Sequence, residues 1–190
     1  MLPVFGSLSD EDTSGRVDCC GVLRSKDGGE NWGDFTLMAY DKANRDIAYN
    51  EVDVEPMPDG TLVAAIRTEW RSGPSGHPWS TSFCFSEDQG RSWTKPELGY
   101  FGNVPDMALL PDGGLAVAAA ALPRVVFSYD GGHSWSREVP PHSTRGDETT
   151  PAHGTSYAGV ELIDDDHLLV FGRWLGRDGC IYRRLPAAAK

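Results

Sequence analysis

The 190-residue chain lacks both features of an export signal at its start. MLPVFGSLSDEDTSGRVD has no basic opening and no apolar run behind it. It also lacks a run of apolar residues long enough to span a bilayer: the longest candidate, LAVAAAALPRVVF, is interrupted by Pro123 and Arg124. Positive charge is scarce, 17 Lys and Arg against 28 Asp and Glu, giving a formal net charge of −11 and a pI near 4.8. Such a field repels phosphate backbones and anionic surfaces, so neither nucleic acid nor a membrane is expected as a partner. As it stands, the chain is expected to be soluble and cytoplasmic.

Cysteine is sparse too. Cys19, Cys20, Cys84 and Cys180 form no CxxC pair matched to a second pair or to spaced histidines. Cys19 and Cys20 would point to opposite faces of a strand and would be strained as a disulfide, so all four are expected to be buried thiols. His77, His133, His142, His153 and His167 show no spacing that places two on one face. The run Asp164, Asp165, Asp166 reads as a solvated hairpin tip, not a calcium loop. No metal and no cofactor is expected. HSTRGDETTPAHG, with its RGD, reads as a long polar loop.

What is present is repetition. SKDGGENW, SEDQGRSW and SYDGGHSW share the pattern S-x-D-x-G-x-x-W. Asp27, Asp88 and Asp130 are suited to accept turn amides, and Gly29, Gly90 and Gly132 to supply positive φ. Trp32, Trp93 and Trp135 are expected to return the chain to the core with a buried ring. A second repeat, EPMPDGTLVAAIR, ALLPDGGLAVAAA and ELIDDDHLLVFGR, aligns Asp59, Asp112 and Asp165 at a constant step of 53 residues. Within one unit the pattern predicts a strand over Val52 to Met57, a D-G turn, strands over Thr61 to Arg67 and Ser80 to Phe85, the tryptophan turn, and a fourth strand after it. No segment shows a convincing helical period, and short strands between Gly, Pro and Asp turns predict an all-β fold.

The three boxes resemble the Asp-box, or BNR, repeats of the sialidase superfamily, whose members form six-bladed propellers. The resemblance implies an all-β, sialidase-type β-propeller of four-stranded antiparallel blades, forming an incomplete ring in a single chain. It would be one domain, 1–190, with blade units at about 18–40, 50–99, 103–140 and 156–184. It also implies that the boxes are architecture at the outer edge, while the first strand of each blade lines the central channel. Eight residues before each aligned aspartate stand Glu51, Val104 and Tyr157.

NEVDVEPMPDGTLVAAIR is similar to the sialidase segment in which a glutamate precedes a DG turn and an arginine ends the second strand. GTSYAGVELIDDDHLLVFG is similar to the segment that carries the tyrosine nucleophile. The resemblance therefore implies Tyr157 as nucleophile, Glu51 as its base and Arg67 as one of the arginines holding a substrate carboxylate. A neutral tyrosine suits an anionic sugar that would repel a carboxylate nucleophile, and a nearby glutamate can take the phenolic proton. An arginine fork fits the sugar's own carboxylate.

Other parts of that pattern are absent. No match is found for the N-terminal arginine or the aspartate acid/base. The arginine expected eight residues before the third box falls at Ala120. Arg124 is the substitute, four residues or about 13 Å farther along a strand, and only a local rearrangement would let it serve. Plainer roles stand beside these: Glu51 as a solvated strand-end carboxylate, Tyr157 as a packing aromatic, Arg67 paired with Glu69 or Glu55.

Two functions follow. One is a retaining sialidase-like glycoside hydrolase acting on sialic acid or a related acidic sugar. The other is a non-catalytic Asp-box propeller part that binds glycan or protein. About three blades are too few to close a ring, so the chain is a fragment or remnant, or two copies complete the ring as a homodimer.

Overall fold

In each S-x-D-x-G-x-x-W stretch, a hydroxyl and a carboxylate two residues apart are near enough to take over the amides of a tight turn. The computed structural model of the chain, which describes residues 1–7, 18–44, 46–70, 80–120, 124–136, 158–174 and 177–183, shows this in all three copies. Ser86 Oγ accepts the Gly90 amide at 2.7 Å and donates to Asp88 Oδ1 at 2.9 Å. Asp88 in turn accepts the Ser92 amide at 2.8 Å and the Ser92 hydroxyl at 2.6 Å. Ser25 and Ser128 accept the Gly29 and Gly132 amides at 2.8 Å, and Asp27 and Asp130 accept those of Asn31 and Ser134 at 2.9 and 2.8 Å. The turn needs two successive left-handed residues. In the second box a glutamine, Gln89 with φ of 61°, fills the first of these places.

The donors hold these aspartates low. The Asn31 amide and side chain bring Asp27 from 3.8 to about 2. The Ser92 hydroxyl and amide do the same for Asp88, and the Ser134 hydroxyl leads for Asp130. The expected burial of the tryptophans holds unevenly. Trp93 packs on the core and donates Nε1–H to Gly90 O at 3.1 Å, but Trp32 is 42% exposed. The Trp32 ring lies over its own turn at Gly29 and not in the core.

The described residues form strands and no helix. The chain divides into two compact units, Met1–Val104 and Pro105–Lys190. In the first, β1 (Leu2–Ser7), β2 (Asp18–Arg24) and β3 (Gly33–Ala39) form one antiparallel sheet. β4 (Ile47–Pro56), β5 (Leu62–Trp70), β6 (Ser80–Ser86) and β7 (Glu97–Phe101) form a four-stranded one. β1 lies ahead of the strands read from sequence. Its Pro3 and Gly6 mask the strand signal, and a proline is tolerated because β1 is an edge. β4 begins five residues before the strand expected at Val52.

β5 shows why alanine is common here. Val63, Ala64, Ala65 and Ile66 are all fully buried, so both faces of the strand are covered, and small side chains let neighbouring layers approach. Cys20, Val22, Met38 and Ala39 of the first sheet meet Tyr49, Ala64, Ile66 and Cys84 of the second in one core. At its rim Arg24 reaches the second box, donating Nε–H to Gln89 O at 3.3 Å and pairing through Nη2 with Gly90 O. Nη1 donates to Asp34 O at 2.7 Å and Thr36 Oγ1 at 2.9 Å.

β8 (Asn103–Leu109), which begins at the end of the first unit and runs into the second, forms one sheet with β9 (Leu115–Ala120) and β10 (Arg124–Ser128), and β11 (Ala158–Asp164), β12 (His167–Trp174) and β13 (Arg177–Arg183) form another. Here too the second strand is apolar and closed, with Leu115, Ala116 and Ala118 fully buried. Asp106 of β8 ties the sheets by accepting the Val160 amide of β11 at 2.7 Å. After the box, Ser136 repeats what Thr94 does in the first unit. Each donates its amide to a phenylalanine carbonyl before the box, at 2.7 and 2.9 Å, starting the return of the chain along the sheet.

The D-G hairpins close alike, Met57 with Thr61 and Leu110 with Gly114. The acidic tip differs: Asp164, not the aligned Asp165, accepts the Asp166 and His167 amides at 2.9 Å. A bulge between Leu162 and Asp164 compensates for the shorter loop. Leu162 opposite Leu168 therefore matches Pro56 opposite Leu62 two periods earlier.

Ser128 and Ser86 are buried while the first box is open to solvent. Ser128→Ala is therefore expected to lower unfolding free energy in urea by about 1–3 kcal/mol by stranding buried amides, and Ser25→Ala by less. The box carboxylates have lowered pKa values, so their stabilisation is fully present above 3.8 and is lost as pH falls through about 2. Unfolding free energy followed between those values is expected to fall more gently with acid in Asp130→Asn than in the parent.

Candidate functional site

A strand alternates its side chains, so Arg67 and Glu69 on β5 share one face. Opposite them β4 carries a bulge: Tyr49 pairs with Thr68 and Val52 with Ile66, which leaves Asn50 and Glu51 facing the single residue Arg67. A bulge re-aims the residues it inserts. Glu51 thereby meets Arg67 with both oxygens, Nη1 donating to Oε1 at 2.8 Å and to Oε2 at 2.9 Å. Nη2 pairs with Glu69 Oε1, and Asn50 Nδ2 donates to Glu69 Oε2 at 3.1 Å. The side chains of Arg67, Glu51 and Glu69 are 19%, 18% and 25% exposed, so the ion pairs are partly desolvated. Arg67 Nε is buried and has no hydrogen-bond partner.

Sequence reasoning named Glu51 and Arg67, and the structure brings them together. It named Glu69 only as an ordinary surface partner for Arg67. In the fold the Arg67–Glu69 pair forms along β5, as that plainer reading has it, and the β4 bulge adds Glu51 and Asn50 to it. Arg124 is the first residue of β10 and pairs along the backbone with Ala119. Tyr157 lies outside the described residues, immediately before β11. The register places Ala158 opposite Gly172, as it places Val52 opposite Ile66, so position 157 corresponds to position 51 in the repeat. The same step from Arg67 leads to Ala120 and then to Arg173 in β12, an arginine that the sequence reading passed over although the 53-residue period points to it.

Val104, the middle member of the Glu51 and Tyr157 series, holds a φ of 53°, which is costly for a β-branched residue. The first strand is thus irregular at this level in both places where it is described. Among the described residues no three His, Cys, Asp or Glu side chains are arranged to hold a metal ion. Cys19, Cys20 and Cys84 are buried thiols; burial pushes Cys84 up to about 12, and burial with Cys84 and Cys19 nearby raises Cys20 as well. These are packing groups and not nucleophiles. The side chain of Cys180 lies outside the described residues.

Removal of the cation would leave Glu51 and Glu69 facing each other unpaired. Arg67→Gln is expected to lower unfolding free energy by about 1–3 kcal/mol, measured by urea denaturation at neutral pH.

No family model matches the sequence, and no curated protein does. Solved structures do resemble it. A protein of unknown function from Dyadobacter fermentans superposes with a TM-score of 0.62 at 22% identity, over 87% of this chain and 44% of that one. A Hadza microbial sialidase gives 0.59 at 17% identity, over 83% and 36%. The leech intramolecular trans-sialidase, solved with 2,7-anhydro-Neu5Ac, gives 0.51 at 18%, over 82% and 24%. The chain spans less than half the length of each. At such identities the likeness concerns fold alone: the chain has the all-β fold of the sialidase propellers and spans part of one.

Proposed function

We propose that the chain carries part of a glycoside hydrolase site of sialidase type, acting on sialic acid or a related acidic sugar. The observation that supports this reading most directly is the bulge that aims Glu51 onto Arg67, a paired base and cation on adjacent strands at 2.8 Å. In this reading Arg67 holds the sugar carboxylate, and Tyr157 attacks the anomeric carbon while Glu51 takes its phenolic proton. The glycosidic C–O bond breaks, and the aglycone leaves as its oxyanion and is protonated by water. A water activated by Glu51 or solvent then cleaves the tyrosyl–sugar bond to free the sugar and restore Tyr157. The Glu51 carboxylate is held in orientation by Arg67. Arg124 serves as a further contact for the carboxylate only after a local rearrangement. A homodimer that completes the ring belongs to the same proposal, and light scattering at micromolar concentration is expected to show a dimer.

Turnover of a fluorogenic aryl α-sialoside tests the assignment. Tyr157→Phe is expected to abolish it, and Arg67→Ala to raise KM about tenfold to a hundredfold through loss of one charge-assisted contact. A Tyr157→Phe variant with full rate and an unchanged circular dichroism spectrum would overturn it.

One observation favours the second reading, a non-catalytic propeller part that binds glycan or protein. Both ends of the Arg67 guanidinium are already engaged by carboxylates of the chain itself.

A further inference from the structure

An arginine meets a carboxylate best along its Nε–Nη2 edge, where two parallel N–H groups match two oxygens. In Arg67 that edge is half taken. Nη2 is paired with one oxygen of Glu69, while Nε is buried without an acceptor. The other Glu69 oxygen is turned away to accept Asn50 Nδ2 at 3.1 Å. On the far side Glu51 occupies Nη1 with both oxygens. One cation therefore faces two carboxylates, and Glu51 alone would neutralise it. Glu69 adds a negative charge that neutralisation does not require.

We infer that Glu69 is a specificity-determining residue: it occupies the seat on Arg67 that a ligand carboxylate needs, so an acidic sugar binds only by turning it out. The inference rests on the reading that Arg67 faces the ligand. The exchange is physically balanced. An incoming carboxylate replaces a one-point contact by a two-point one and gives Nε its acceptor. The displaced Glu69, a quarter exposed, keeps Asn50 and gains water. The chain's own carboxylate is tethered and always present, so free acidic sugars compete at a disadvantage and neutral sugars do not compete with it at all.

The test is calorimetric titration of N-acetylneuraminate and of neutral N-acetylglucosamine into the full chain and three variants, beside turnover of the fluorogenic α-sialoside. Glu69→Gln is expected to tighten N-acetylneuraminate about tenfold to a hundredfold, the worth of one charge-assisted contact, and to leave the neutral sugar unchanged. Glu69→Asp, which keeps the charge and shortens the reach, is expected to tighten it too. Glu87→Gln, which removes an equal charge at an exposed position in the second box, is expected to change nothing. Glu69→Gln that binds the acidic sugar no tighter than the parent, or Glu87→Gln that gains as much, overturns the inference. Tightening without turnover in any variant upholds Glu69 and sinks the hydrolase reading. Turnover by the parent with no tightening in Glu69→Gln does the reverse.

Discussion

The sheets depend on a turn that completes itself. Between β6 and β7, as between β2 and β3, a serine hydroxyl and an aspartate carboxylate receive the amides that no strand can reach, and they bond to each other. The turn is thus satisfied locally, and the chain leaves it already aligned for the return strand, as Thr94 and Ser136 show. Such a device can be repeated wherever the sequence repeats it. In the second box it also serves as an anchor, since its carbonyls receive Arg24 from the neighbouring sheet.

A satisfied outer turn leaves the first half of the second strand free to be apolar. Val63–Ile66 of β5 and Leu115–Ala118 of β9 have no solvent face to maintain, so they are rich in alanine and valine, and the layers come close. The start of the first strand is irregular instead, with the Asn50 and Glu51 bulge in one repeat and the positive φ of Val104 in the next. Strain at this level is tolerated because the strands beyond it are fixed by packing. A bulge that points Glu51 at Arg67 and Asn50 at Glu69 does little for the core, so it is the natural place to look for chemistry.

The electrostatics of that place decide what it can do. A lone arginine would be a receptor for anions. One already engaged by two carboxylates, in a chain of net charge −11, is a receptor only for an anion that displaces one of them. On the proposed reading, affinity and selectivity at this site are set by competition within the protein as much as by contact with a ligand.

Much of the fold was legible in the sequence, because each box residue has a local task that composition and spacing expose: a donor acceptor pair, a left-handed turn, a fixed 53-residue step. Edges were harder. β1 hides behind Pro3 and Gly6, and Trp32 keeps the motif while staying exposed, since burial depends on neighbours that a local pattern does not name. At the candidate site the sequence determined that Glu51 and Arg67 stand at matching ends of adjacent strands. The sequence also offered Glu69 or Glu55 as partners of Arg67, and only the tertiary structure decided that Glu69 is the one and that Glu51 touches Arg67 beside it. The reason is geometric: one inserted residue in β4 changes which side chains face each other, and no count along the chain records a bulge.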